Sequence, residues 1–236
     1  MIRENYRKRI LSMAEPSYRQ FSSSLLPGIE GIQGVRLPLL RKMAAEMVRH
    51  GEWEEWLSVY FDASDNWFEE DMLAGFCIAG IKIEISERIE QIRMFLPHIG
   101  NWSVCDSFCA SMKTTARERE NYWPFLMECL QDKAEFTVRV GLILLLDHYC
   151  VPDWFDRAVS AICAVQHPGY YVQMGQAWAL SMFYFIGRER VRRILQEKIL
   201  PESVCRLTVR KICESRKSSP EERIELRRVL RDKEDE

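Results

Sequence analysis

Trp102 and Asp106 stand four residues apart in the run Asn101-Trp102-Ser103-Val104-Cys105-Asp106, so a helix carries both side chains on one face. An acid beside an indole among apolar neighbours is an expensive arrangement. Burying an ionised carboxylate costs several kcal/mol unless a cation or hydrogen-bond donors answer it. Arg139 is a candidate cation, in Phe136-Thr137-Val138-Arg139-Val140-Gly141, at the front of a stretch otherwise uncharged to Leu146. A second indole, Trp178, lies in Gln176-Ala177-Trp178-Ala179-Leu180. The chemistry open to such a set is electrostatic: a fixed negative charge beside aromatic faces. The four residues are expected to meet in one solvent-accessible cleft. Taken singly, each has a plainer reading, the indoles as core and the Asp–Arg pair as an internal ion pair.

Positioning them is a matter of helices. The apolar period is helical nearly throughout, and no run alternates with period two for long enough to demand a strand. Helices are expected over 3–13, 15–23, 38–49, 52–60, 67–80, 85–98, 101–112, 116–131, 134–148, 152–165, 170–186, 188–198, 202–214 and 220–232. Pro38, Pro124, Pro152 and Pro201 fit first turns, where a missing N–H is tolerated. Gly51, Gly100 and Gly187 fit helix ends that need positive φ. The longest irregular piece runs from Ser22 to Leu37. So many medium helices with short connections favour an all-α, curved solenoid of antiparallel helix pairs over one closed bundle. With no linker-like stretch, residues 1–236 read as one domain.

Composition narrows the function. The chain is 47% hydrophobic and 29% charged, which argues for a large core and against wholesale disorder. A net charge of −2 gives no global attraction to nucleic acid. The distribution is uneven, since residues 188–236 hold 15 Lys and Arg against 11 Asp and Glu. None of the eight cysteines forms a CxxC pair, and buried apolar packing is their expected role. The run Met1-Ile2-Arg3-Glu4-Asn5-Tyr6-Arg7-Lys8-Arg9 lacks a signal-peptide core, and no apolar run reaches the ~18 residues of a membrane span. A reduced cytoplasm is the expected location. His50, His98, His148 and His167 are too scattered to suggest a metal site.

The ordered set resembles the AlkD-like DNA alkylation repair family, glycosylases built from HEAT-like helical repeats. Asn101-Trp102-Ser103-Val104-Cys105-Asp106 matches that family's Trp-x-x-x-Asp, Phe136-Thr137-Val138-Arg139 leading to Tyr149 its Arg helix, and Val172-Gln173 through Ala177-Trp178-Ala179-Leu180 its later Trp helix. Gly31-Ile32-Gln33-Gly34-Val35-Arg36-Leu37-Pro38-Leu39-Leu40-Arg41 resembles its N-terminal loop and helix, so the likeness spans roughly residues 3 to 215. The resemblance implies excision of cationic N3- or N7-alkylated purines from duplex DNA, by a monomer without cofactor or metal. It implies Asp106 as the charge that stabilises an oxocarbenium-like sugar and positions water. Trp102 and Trp178 would offer indole faces, each cation–π contact contributing roughly 0.5–2 kcal/mol. Arg139 would orient Asp106 or touch a phosphate. Lys113, Arg117, Arg119, Arg188, Arg192, Arg193, Arg206, Arg210 and Lys211 are then the candidate DNA-binding residues.

The chain departs from the family pattern at Asn101 and Ser103, where relatives place Trp and Asp. It departs again at Met174, Ser181 and Asp147 or His148, where they place cations. Fewer cations against phosphate means weaker, more salt-sensitive binding. A non-catalytic HEAT-like scaffold, binding protein or altered-shape nucleic acid through the same cleft, is the alternative. Trp53 and Trp56 read as packing between repeats, and Glu69, Glu70 and Asp71 as the polar face of a helix after Trp67.

Overall fold

Proline, glycine and polar caps cut the chain much as expected, and the segments between them are helical. The computed structural model describes residues 1–197 and 199–231, all helix or connection without a strand among them. The expected helix ends at 198 and 232 lie outside the described residues. Two units divide the chain, Met1–Thr114 and Thr115–Glu236.

The first unit holds α1 (Ile2–Ser12), α2 (Pro16–Leu25), α3 (Leu37–His50), α4 (Trp53–Phe61), α5 (Phe68–Gly80), α6 (Ile85–Phe95) and α7 (Trp102–Ser111). Helices α3, α5 and α7 form a row, each packed on the helix two places along, while α4 and α6 flank α5. Leu40, Met43 and Met47 of α3 bury against this row, as do Met72 and Leu73 of α5 and Phe108 of α7. At C-cap Gly51, φ is +74°, the left-handed conformation expected there.

The second unit holds α8 (Arg119–Leu130), α9 (Glu135–His148), α10 (Phe155–Ala164), α11 (Tyr170–Phe183), α12 (Arg188–Gln196), α13 (Glu202–Glu214) and α14 (Pro220–Arg231). Helices α9, α11 and α13 form the same kind of row, with α8 against α9, α10 against α11, and α12 and α14 packed together. Each unit therefore stacks its helices with the two-helix period of an all-α solenoid. Helix α9 is apolar nearly all round because neighbours cover it; Val138, Val140, Leu142 and Leu145 are fully buried.

Several sequence expectations need correction. Pro124 lies inside α8 instead of in its first turn. Residues 116–118 are turn and bend, so α8 starts later than expected. The stretches expected at 85–98 and 152–165 each combine an α-helix with a short 3₁₀ turn, Leu96–His98 and Pro152–Trp154. Gly187 has φ −133°, and Gly100 is not among the positive-φ glycines. Gly187 serves space: a Cβ there would lie 2.2 Å from the Phe155 ring.

The largest correction concerns the acids of α5. Glu69 and Glu70 are buried, not a solvated face. Glu69 accepts backbone N–H bonds from Gln33, Gly34 and Val35 at 2.9, 2.7 and 3.2 Å. Glu70 takes bonds from Arg3, Arg7 and the Trp67 N–H. Burial pushes the Glu70 carboxyl up, but the two guanidiniums outweigh it and hold the group below its usual range. Asp71 accepts a 2.8 Å bond from the Tyr60 hydroxyl. Burial, reinforced by Glu70 and Glu69, raises its pKa to about 7.

Folding thus favours protonated Asp71, and the native state loses stability as pH rises from 3.8 through about 7. Asp71→Asn keeps an acceptor for Tyr60 and removes the charge. Relative to the native protein it should melt alike near the low end of that window. At pH about 8 it should be more stable by on the order of 4 kcal/mol. Thermal melts at both pH values check this, and equal shifts at both would refute it.

Candidate functional site

Helix α7 begins where Asn101 makes it begin. The Asn101 side-chain oxygen accepts the Val104 N–H at 3.0 Å, an N-cap that puts Trp102 in the first turn. The helix then has two faces. Val104, Cys105, Phe108 and Cys109 are buried in the unit, whereas Trp102, Ser103, Asp106 and Ser107 are half-buried. These four line a cavity of about 190 Å³ whose opposite wall comes from Tyr18, Phe21 and Leu25 of α2, with Phe68. Phe21 and Leu25 are exposed. Trp102 and Asp106 therefore do share one accessible cavity, one side aromatic and apolar, the other carrying a carboxylate. The α2 wall was missed in the sequence, although Tyr18, Phe21 and Leu25 recur at helical spacing in a serine-rich stretch.

In the second unit Arg139 is buried on α9 and donates from Nη1 to the Tyr171 carbonyl at 2.7 Å. The Tyr171 N–H donates to Glu135 at 2.6 Å, so α9 holds the start of α11 by a carboxylate and a guanidinium. Trp178 is half-buried further along α11. The Lys211 ammonium of α13 lies 5.8 Å from its ring centroid, within cation–π range. Ser181 is buried and bonds the Trp178 carbonyl at 2.7 Å. A cation thus stands beside the indole, brought by α13 instead of α11.

A match to known families decides what this geometry belongs to. Residues 7–212 match the family described as DNA alkylation repair enzyme. The chain belongs to that family. Comparison with curated proteins and with solved structures found no match. The role of this DNA alkylation repair enzyme is therefore in alkylation repair, and DNA is its partner.

The basic positions of the repair enzyme occupy different surroundings. Lys113, Arg117 and Arg193 are exposed. Arg206 and Arg210 lie one turn apart on the exposed side of α13, paired with Glu202 and Glu214. Arg188 pairs with Glu222 and Arg192 with Glu225 of α14. Such surface pairs contribute about 0–1 kcal/mol, so a phosphate competes with the carboxylate on near-even terms. Arg119 is used differently: its Nε donates to the His148 carbonyl, and its own carbonyl accepts from the Tyr149 hydroxyl at 2.7 Å. That arrangement closes the end of α9. No group of three or more metal-ligating side chains occurs among the described residues, and no helix there is long and apolar enough to cross a membrane.

The cap makes a direct prediction. Asn101→Ala should cost about 1 kcal/mol of stability, while Asn101→Asp should cost little. Chemical denaturation of both variants checks it. Equal losses would mean that α7 does not depend on this bond.

Proposed function

We propose that this repair enzyme is a glycosylase that hydrolyses the N-glycosidic bond of cationic N3- or N7-alkylated purines in duplex DNA. The observation that carries the reading is the placement of Asp106 and Trp102 together on the accessible side of α7, at a cavity walled by Tyr18 and Phe21. An alkylated purine already bears positive charge, so it leaves as a neutral base with the bonding electron pair. Positive charge then develops on the sugar. Asp106 supplies the opposing charge and holds the water whose oxygen bonds to the anomeric carbon. The water's proton passes to the carboxylate or to solvent. Trp102 shields the sugar with its ring face.

Arg139 and Trp178 are proposed to contact the DNA, with Lys211 adding positive charge toward phosphate. The pairing of Arg188, Arg192, Arg206 and Arg210 with glutamates favours modest DNA affinity. It is also what a scaffold that binds without cleaving would show, and the following measurements separate the two.

Asp106→Asn keeps shape and removes charge. Release of alkylated base from methylated duplex DNA should fall by orders of magnitude, each tenfold loss equal to about 1.4 kcal/mol. The melting temperature should change little, because Asp106 is half-exposed. An Asn variant that is less stable yet as active per folded molecule removes Asp106 from catalysis. No base release by the native protein favours the scaffold.

Duplex affinity itself should be weak and fall steeply with salt. Titrations from roughly 50 to 200 mM salt check this, and a flat response would contradict the proposed phosphate contacts.

A further inference from the structure

Helix α7 ends at Ser111, which borders a second cavity. This cavity, of about 280 Å³, is lined by Ala44, Ala45 and Val48 of α3, Phe76 and Ala79 of α5, and Ser111, with Arg41 at its edge. The Arg41 guanidinium stacks over the Phe76 ring at 4.3 Å from its centroid. Its Nη1 donates to the Ser111 hydroxyl at 2.5 Å. That hydroxyl in turn donates to the Ser107 carbonyl at 2.7 Å, which fixes it as an acceptor for Arg41.

No carboxylate among the described residues pairs with this cation. Arg3, Arg7, Arg9 and Arg36 of the same unit each pair with a carboxylate. Among the described residues no carboxylate and no further acceptor meets Arg41, although a guanidinium offers five N–H donors. Arg41 is exposed, and partial desolvation against Phe76 pulls its pKa down. Exposed Lys42 and Lys113 stand close in the chain to Arg41 and Ser111. The planar fork of Arg suits a phosphate, which accepts two parallel N–H bonds.

We propose that Arg41, oriented by Ser111 and backed by Phe76, binds a DNA backbone phosphate. The inference rests on the reading that α7 presents Asp106 to DNA.

The test uses the full chain and an undamaged labelled duplex, titrated from roughly 50 to 200 mM salt. Arg41→Ala should weaken binding several-fold and lower the slope of log affinity against log salt by about 0.9, one phosphate's share. Arg41→Lys should restore the slope but not the full affinity, because a point charge lacks the fork. Ser111→Ala should keep the slope and lose part of the affinity. Arg41→Gln serves as the neutral variant if Arg41→Ala does not fold, since its planar amide can still lie over Phe76. An unchanged slope in a folded neutral variant overturns the proposal and leaves Arg41 as a clamp between α3 and α7. Base release on methylated duplex separates the two readings. A native protein that excises bases while the neutral variant keeps its slope sinks only the phosphate site. A slope that falls in a protein releasing no base sinks only the glycosylase reading. A native protein that binds no duplex at low salt sinks both.

Discussion

The first unit is organised by two carboxylates buried at the start of α5. Glu69 neutralises three backbone N–H groups of the 31–36 loop, and Glu70 gathers Arg3 and Arg7 from α1. Left unanswered, each charge would be prohibitive in that setting; answered, the pair becomes a joint between segments far apart in sequence. The loop it fixes has Gly34 at φ +94°, where a Cβ would come within 2.7 Å of Arg19 and of the Glu15 carbonyl. Glu15 N–H bonds the Gly34 carbonyl at 2.9 Å, and Arg36 pairs with the Glu15 side chain. One buried acid thereby sets both the start of α3, which carries Arg41, and the start of α2, which carries Tyr18 and Phe21. Both walls that face α7 hang from this joint.

Helix α7 itself shows how little of a helix a site needs. Its buried side packs through Phe108, edge-on to Phe95 with centroids 5.3 Å apart, and α5 gives way there through Gly75, where a Cβ would be 3.2 Å from the Phe95 ring. Close packing on one side leaves the other side rigid, so Trp102 and Asp106 keep a fixed spacing without further support. The row α9, α11 and α13 works the same way. Its interior is apolar, and the polar groups Arg139, Glu135 and Lys211 come in where α11 is approached from either side.

The helical architecture was legible because a 3.6-residue apolar period survives wherever one face of a helix is buried. Pro38 and Gly51 marked α3 correctly, because their backbone restrictions are local. What failed to read from the sequence depends on partners distant in the chain. Glu69, Glu70 and Asp71 have the composition of a solvated turn, and only Arg3, Arg7 and the 31–36 loop make them internal. Gly187 reads as a helix end that needs positive φ, but its φ is −133° and its lack of a side chain answers the Phe155 ring. Pro124 reads as a helix start on local grounds, yet α8 begins five residues earlier and carries it along. Within the site, Trp102 and Asp106 were legible from type and spacing. The α2 wall was not, because a stripe such as Tyr18, Phe21 and Leu25 looks the same whether it faces core or cavity.

Asp71 and Asp106 lie in one unit but in different surroundings. Asp71 sits beside Glu69 and Glu70 with one hydroxyl donor, and its pKa climbs to about 7. A group so placed is neutral over much of the acidic range and makes a poor counter-charge. Asp106 is half-buried on a face open to a cavity, with serines on either side. The proposed reaction asks for that compromise. Its leaving group is charged before the enzyme acts, so no strong acid or metal has to activate it, and what remains is to oppose a cation for the life of a transition state. A deeper pocket would strengthen each interaction but would also desolvate the carboxylate that supplies the charge. A shallow, aromatic-walled cavity on a rigid helix meets both demands at once.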